Sequence, residues 1–223
     1  MTTRLSTVII VAILAVVVAS LPAKAVVLTF NPSDGVSGDV SLPTYGDNVA
    51  GSSQDGFTYY NLGEGWTPDI SLSFSTTAAG TYHTYNDAVW TGVIESDGRY
   101  VVFTPANGAS VKINDLNMES YGGGTISYLK IVTLDGDGNE TGTLQDVIDA
   151  PSGFPIASGP TGQLISVNYT GAPGQTIALT FGGGIPANNV GIDTLRFSEM
   201  IPEPASLGLM GLGSLSLLRR KRR

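Results

Sequence analysis

Apolar and polar residues alternate in short segments along the middle of the chain, and this two-residue period is typical of β-strands. Within residues 109–116, Val111 and Ile113 face one side while Lys112 and Asn114 face the other. No window carries the i, i+3, i+4, i+7 apolar face of an amphipathic helix. The pattern predicts strands at 26–30, 57–60, 70–75, 88–94, 99–104, 109–116, 126–134, 141–147, 163–169, 176–181 and 190–198.

Turn-forming residues separate these segments, as in proteins built from hairpins and short loops. The chain has 29 Gly and 12 Pro among 223 residues, and the stretch 150–162, rich in both, is predicted as a loop. Many short strands without long helices predict an all-β fold, a single β-sandwich over residues 26–199. The sequence has no Cys, so the apolar core must supply the stability without disulfides, which a domain of this length can do.

The first 25 residues carry the three parts of a secretory signal peptide. Arg4 precedes an apolar segment, residues 8–19, and the small residues Ala23 and Ala25 follow it. As a helix the apolar segment covers about 18 Å, less than the roughly 30 Å of a bilayer core. We therefore predict export through the general secretion machinery, cleavage after Ala25 and a mature chain that begins at Val26.

The C-terminus carries a second three-part signal. Pro202, Glu203 and Pro204 come first, and two prolines this close together hold the backbone extended. The glycine-rich apolar residues 205–218 follow, and as a helix they cover about 21 Å, too short for a stable membrane span. Five cations, residues 219–223, close the chain and favour the cytoplasmic side of a membrane. We predict that this tail inserts into the membrane as a short helix, transiently, during export.

In order, spacing and position, residues 200–223 resemble the PEP-CTERM sorting domain of exported bacterial proteins. Pro202, Glu203 and Pro204 match the tripeptide that names the family, and Ile201 stands where the family often has Val. The resemblance implies recognition by an exosortase-type processing enzyme and removal of the tail. It also implies delivery to the cell surface or extracellular polysaccharide of a Gram-negative-type bacterium, after transient anchoring in the inner membrane.

The chain between these two signals must carry any function outside the cell. We predict a signal peptide at 1–25, the sandwich domain at 26–199 and the sorting segment at 200–223. The whole chain has a formal net charge of −8, but residues 26–199 hold 18 Asp and Glu against four Lys and Arg, about −14. A body this anionic repels phosphate backbones, so nucleic acid is not expected as a partner. Divalent cations and neutral or cationic polymers are better matched to it.

The second half of the domain also resembles a galactose-binding-like jelly roll, a fold found in many noncatalytic carbohydrate-binding modules. The resemblance rests on residues 103–105 leading into a strand, residues 129–132 before an Asp-Gly hairpin, and residues 191–197 as the last strand. It implies a jelly-roll sandwich in which the early strand and the last strand run side by side.

The same resemblance implies a structural calcium ion shared by those two strands. Asp193 matches the last-strand carboxylate of the family, while Asn31, after Phe30, stands where the family usually has Glu. Asp34 can supply a carboxylate from the adjoining loop. Calcium accepts amide, carboxylate and backbone oxygens together, so Asn31, Asp34 and Asp193 form the candidate site. The alternative is that Asp193 only caps or orients the last strand.

Half of the aromatic residues, nine of 18, lie within residues 45–90. Tyr and Trp combine a flat apolar face with a polar tip, which suits stacking on sugar rings. Trp66 lies in loop-like sequence before Pro68, and Tyr59 and Tyr60 precede it. These three residues are the predicted carbohydrate-stacking platform. The alternative is that the aromatic residues fill the core of the sandwich.

No catalytic motif is recognisable, and we do not expect an enzyme. His83 is the sole histidine of the sequence, and no GxSxG nucleophile elbow accompanies it. Residues 135–140 have carboxylates spaced as in a calcium loop, but Glu140 stands where an EF-hand needs Gly. We interpret this segment as a polar hairpin tip. Eighteen acidic residues always allow some pair of carboxylates, so glycoside hydrolysis stays open.

These features together predict a noncatalytic protein that binds polysaccharide at the cell surface or in the extracellular matrix. One alternative is a structural envelope or biofilm-matrix protein that is cross-linked through divalent cations and has no specific ligand. The other, less favoured, is a polysaccharide-active hydrolase. A glycan array separates the first two, and release of reducing ends from polysaccharide identifies the third.

Overall fold

The computed structural model describes residues 25–30, 39–40, 45–49, 53–54, 57–58, 67–74, 82–85, 88–91, 99–120, 123–158, 162–183 and 190–201. Among these residues there are fourteen β-strands and no helix. The prediction of an all-β fold is therefore confirmed. All the strands lie within one compact unit, Ala23–Met200.

In chain order the strands are β1 (Ala25–Leu28), β2 (Asp39–Val40), β3 (Ser53–Gln54), β4 (Phe57–Thr58), β5 (Ile70–Phe74), β6 (Tyr82–Tyr85), β7 (Ala88–Thr91), β8 (Arg99–Pro105), β9 (Ser110–Ser120), β10 (Thr125–Leu134), β11 (Glu140–Pro155), β12 (Gln163–Thr170), β13 (Ile177–Gly182) and β14 (Val190–Met200).

Two large antiparallel sheets and one separate pair of strands make up the described part of the domain. The larger sheet has the order β12-β9-β14-β7-β6-β2, and β1 also pairs with β14. The smaller sheet has the order β11-β10-β13-β8-β5, and β3 and β4 form a separate pair. Long-range antiparallel pairing of this kind is typical of sandwiches and not of simple hairpin arrays.

A common apolar core joins the two sheets into a sandwich. Phe103 on β8 and Phe197 on β14 belong to different sheets, and their ring centroids lie 5.3 Å apart at 67°. Ile177, Leu179 and Phe181 alternate along β13 and lie in this core, on the face that the sequence pattern predicted. The inward side chains of both sheets thus share one buried layer.

The first strand lies along the last strand. β1 pairs with β14 in antiparallel register, from Ala25 opposite Ser198 to Leu28 opposite Leu195. Val26 and Val27, which follow Ala25, are buried together with Leu28. This pairing is the side-by-side arrangement that the jelly-roll resemblance implied. The strand begins at the residue after which signal cleavage is predicted, so cleavage further along the chain would remove core residues.

The prediction of a loop at 150–162 is wrong in its first part, because β11 continues through Pro155. β11 is an edge strand, where a proline is tolerated because its missing N–H need not face a partner strand. The register with β10 shifts between the pairs Tyr128–Asp149 and Ile126–Phe154, and Pro151 falls in the bulged stretch between them. Prolines and bulges of this kind also protect an edge strand from pairing with other chains.

Candidate functional site

Of the predicted site residues, the structure describes Ala25 at the start of β1 and Asp193 within β14. The other predicted site residues lie outside the described residues: Ala23, Asn31, Asp34, Tyr59, Tyr60, Trp66, Pro202, Glu203 and Pro204.

Asp193 lies at an irregular point of the last strand. The register between β14 and β9 shifts between Ile192 and Thr194, and the Thr194 hydroxyl donates to Asp193 Oδ2 at 3.0 Å. The β1–β14 pairing ends at Leu28 opposite Leu195, and Phe30 has a positive φ of 53°, so the described pairing does not reach Asp193. Within the described ranges, no group of three or more His, Cys, Asp or Glu is placed to hold a metal ion. A calcium site at Asn31, Asp34 and Asp193 therefore stays a prediction.

The acidic segment after β10 is the tip of a hairpin, as its sequence indicated. Asp135 Oδ1 accepts hydrogen bonds from the backbone N–H groups of Asp137 at 2.9 Å and Asn139 at 2.8 Å. The hydrogen bonds from Asn139, mainly the backbone one, lower the pKa of the Asp135 carboxyl. This carboxylate stabilises the turn between β10 and β11.

The outward face of the smaller sheet carries an aromatic ring among charged groups. Leu129 and Ile131 on β10 point into the core, so Tyr128 and Lys130 point outward by the alternation of a strand. Two rows of residues cross the sheet here: Asp149, Tyr128 and Gly182 in one, and Asp146, Lys130 and Thr180 in the other.

Gly182 makes room for the ring of Tyr128. A Cβ added to Gly182 would lie 2.8 Å from the Tyr128 Oη and 3.1 Å from its Cζ, closer than such atoms approach. At the next residue, a Cβ on Gly183 would lie 3.4 Å from Tyr128 Cδ1. The ring therefore lies over the backbone of β13 at Gly182, in space that a side chain at this position would fill.

The Lys130 ammonium lies over this ring and is held by an ion pair. Its Nζ is 5.1 Å from the centroid of the Tyr128 ring and 2.7 Å from Glu140 Oε1. The hydrogen bond that the Lys130 ammonium donates to Glu140 is the main cause that raises the pKa of Lys130, and the charge of Asp146 adds to it. We call Tyr128, Lys130, Glu140, Asp146, Asp149 and Gly182 the Tyr128 face.

A second polar cluster lies at the end of β14. Leu195, Phe197 and Glu199 alternate along this strand, and Glu199 is buried like the two apolar residues. Glu199 Oε2 accepts the backbone N–H of Asp69 at 2.9 Å, while Oε1 is buried without a hydrogen-bond partner in the part of the chain that the structure describes. The Asp69 carboxylate in turn accepts from the amide of Asn107 at 2.7 Å.

Burial raises the pKa of Glu199 from its ordinary value of 4.5, and the negative charge of Asp69 raises it further. The folded state therefore binds a proton at Glu199 more tightly than the unfolded state does. The stability that this carboxyl contributes is complete below pH 4.5 and is lost as the pH rises through the higher folded pKa.

We expect Glu199→Gln to stabilise the domain at pH 7 by about 1–3 kcal/mol, because the amide keeps the shape of the protonated acid without a buried charge. The gain should shrink toward pH 4, where the wild-type carboxyl is already protonated. Urea unfolding of both proteins between pH 4 and 8 measures this, with the exposed Asp137→Asn as the control. Equal stability of Glu199→Gln and wild type, both at pH 7 and at pH 4, would show that folding does not raise the pKa of Glu199.

Comparison with known families identifies the end of the chain. Residues 201–223 match the family model described as the PEP-CTERM protein-sorting motif. The chain is therefore an exported, cell-surface-directed protein with an all-β domain. It carries a PEP-CTERM sorting motif, and an exosortase-type enzyme is its processing partner. Searches of curated proteins and of solved structures found no match.

No helix among the described residues is long and apolar enough to cross a membrane.

The sequence pattern did not lead to a prediction of the Tyr128 face, because nine of the 18 aromatic residues lie within residues 45–90 and the predicted platform was placed there. The signal that could have indicated it is the alternation along β10, in which Tyr128 and Lys130 face outward while Leu129 and Ile131 face inward.

Proposed function

We propose that the protein is a noncatalytic binder of extracellular polysaccharide, held at the cell surface or in the matrix. The observation that carries this proposal is the sorting motif, which begins at Ile201, directly after the last strand residue, Met200. Once the tail is removed, the domain that ends at Met200 is the part of the chain left to act outside. The resemblance of the tail to the PEP-CTERM sorting domain implies delivery to the cell surface or extracellular polysaccharide, so polysaccharide is the polymer that the domain would meet there.

Processing at both ends fits the proposal. The general secretion machinery would export the chain and remove residues 1–25, and the tail would hold the product in the inner membrane of a Gram-negative-type bacterium until the exosortase-type enzyme acts. The core residues Val26, Val27 and Leu28 begin directly after Ala25, so this cleavage leaves the buried part of β1 whole.

The charge of the domain narrows the kind of polymer. The formal charge of residues 26–199, about −14, disfavours anionic partners. It permits neutral sugars, whose binding rests on stacking and hydrogen bonds. Trp66, Tyr59 and Tyr60 remain the stacking platform proposed from the sequence, and a structural calcium ion at Asn31, Asp34 and Asp193 would brace the domain. A matrix protein without specific ligand, cross-linked through divalent cations, is the main alternative outcome, and a hydrolase is the other.

We expect Trp66→Ala to weaken retention on polysaccharide extracted from the producing bacterium while the melting temperature stays nearly unchanged. An exposed stacking residue contributes contact to the ligand and little to the core. Affinity electrophoresis with and without the embedded polysaccharide measures retention. Trp66→Phe, which keeps a ring, should retain most of the binding.

A core role for Trp66 would give a different result. Truncation of a buried Trp to Ala costs about 3–5 kcal/mol, so a large drop in stability would remove Trp66 from the site. Wild-type protein that binds no polysaccharide, yet aggregates with millimolar calcium, would support the structural matrix alternative instead. Release of reducing ends from the polysaccharide would support the hydrolase.

A further inference from the structure

We propose that the polar cluster at the end of β14 binds a calcium ion, with Glu199, Asp69 and Thr67 as its main ligands. The proposal goes beyond polysaccharide binding and concerns a site distinct from the predicted one that includes Asp193. It rests on two neighbouring acidic residues, on two buried oxygens that lack hydrogen-bond partners in the described part of the chain, and on the segments that the cluster joins.

The first step is the placement of the two acidic residues. Glu199 follows Leu195 and Phe197 on the inward face of β14 and is only 1% exposed. Its Oε2 accepts the backbone N–H of Asp69 at 2.9 Å, and the backbone carbonyl of Asp69 accepts the N–H of Ala106 at 2.8 Å. Two neighbouring carboxylates, one of them buried, repel each other unless a proton or a cation neutralises the charge.

The second step is the pair of buried oxygens. Glu199 Oε1 and Thr67 Oγ1 are both buried without a hydrogen-bond partner among the described residues. Thr67 begins the turn that contains Asp69, since its carbonyl accepts the N–H of Ile70 at 3.1 Å. A hydroxyl at this position ordinarily accepts the N–H two residues further on, and here Glu199 takes that N–H. A proton on Glu199 leaves Thr67 Oγ1 as it is, whereas a cation accepts both oxygens as ligands.

The third step is the choice of cation. Calcium takes about six to eight oxygen ligands and combines carboxylates with neutral oxygens and water. The cluster offers two carboxylates, the Thr67 hydroxyl and the amide of Asn107, which donates to Asp69 Oδ1 at 2.7 Å. None of these four residues supplies the thiolate or imidazole that zinc prefers. Asn107 is exposed and Asp69 half-buried, so an ion can enter from solvent on this side. We expect the affinity of extracellular calcium modules, a dissociation constant of about 10⁻⁴–10⁻³ M.

The position of the cluster gives the ion a structural role. β14 belongs to the larger sheet, and β5, which begins at Ile70, belongs to the smaller one. Asn107 lies in the turn by which β8 of the smaller sheet leads into β9 of the larger sheet. An ion held here ties the end of the last strand, directly before the sorting motif, to the opposite sheet. A cation bound only by the folded state stabilises it, in a chain that has no Cys for disulfides.

The test compares the melting temperature of mature protein recovered from culture in EDTA and in about 5 mM calcium chloride at pH 7. Calcium should raise it by about 3–6 °C, the shift for a ligand at about ten times its dissociation constant. Glu199→Gln and Asp69→Asn, which keep the shape of the side chains, should each lose most of this shift, and the control Asp193→Asn should keep it. Calorimetric titration with calcium chloride should show binding that either of the first two variants weakens at least tenfold.

The same measurements connect with the stability expected for Glu199→Gln at pH 7. That variant should exceed wild type in EDTA, where a proton neutralises the wild-type carboxyl, and its advantage should shrink by about 3–6 °C in calcium, which displaces the proton.

Three results would overturn the proposal. Wild type that melts at the same temperature in calcium and in EDTA would leave the carboxyl with a proton alone. A calcium shift that Asp193→Asn abolishes and Glu199→Gln keeps would place the ion at the other predicted site. A shift that magnesium chloride produces equally, and that all three variants keep, would mean that cations only screen the acidic surface. If one of the two ligand variants does not fold, the other decides.

Discussion

Phe197→Ala is expected to destabilise the sandwich by about 3–5 kcal/mol, the usual cost of truncating a buried aromatic residue. Phe197 is fully buried on β14, and its ring packs edge-on against Phe103 of the other sheet at 5.3 Å. Removing the ring leaves a cavity between the two sheets and deletes a contact that joins them. Domains of this size are stable by about 5–15 kcal/mol, so the loss is a large share of the total.

Urea unfolding followed by tryptophan fluorescence measures this loss, and Phe74→Ala is the matched control. Phe74 is a partly buried residue on β5 that packs edge-on against Phe30 at 6.0 Å, so its truncation should cost clearly less. A Phe197→Ala variant no less stable than Phe74→Ala would mean that the two sheets do not share the core described above.

Replacing Pro202 and Pro204 together with Ala is expected to stop removal of the tail almost completely. Both prolines lie in the matched sorting motif. From the sequence we expect them to hold the backbone at Glu203 extended, so that an enzyme can bind it. Without the two prolines the exosortase-type enzyme should no longer remove the tail. The short apolar stretch and its terminal cations should then keep the chain in the inner membrane.

Cell fractionation with an antibody to the domain measures this outcome. The double variant should accumulate in the inner-membrane fraction at full length, while wild type and the control Pro43→Ala, which lies outside the motif, should reach the exterior. Normal release of the double variant at the processed mass would mean that these prolines are not needed for sorting.

Much of the fold could be predicted because a strand with one buried face alternates apolar and polar residues, and this pattern can be read from a short segment of sequence. β10, β13 and β14 were found within two residues at each end, since their alternating apolar positions continue over six residues or more. The inward set at Ile177, Leu179 and Phe181 follows from the same alternation. The sorting motif could also be predicted from the sequence, because all of its parts lie in one continuous segment.

Other features depend on neighbours that are distant in sequence. β2 and β3 have two residues each, too few for any period, and β6 has the sequence YHTY, whose pairing is set by β7 and β2. The extension of β11 through two prolines follows from its place at the edge of the sheet. The buried carboxyl of Glu199 and the packing of Tyr128 over Gly182 arise from pairs 130 and 54 residues apart.

The mass of the protein recovered outside the cell tests the central claim, that a sandwich domain is delivered to the exterior without its two terminal signals. We expect an intact mass that corresponds to a chain beginning at Val26 and lacking residues 205–223. The buried residues of β1, which begin at Val26, and the whole of β14, which ends at Met200, then stay in the product, and only Ala25 is lost from β1. Recovery of extracellular protein that still ends in the five cations at 219–223 would contradict the account.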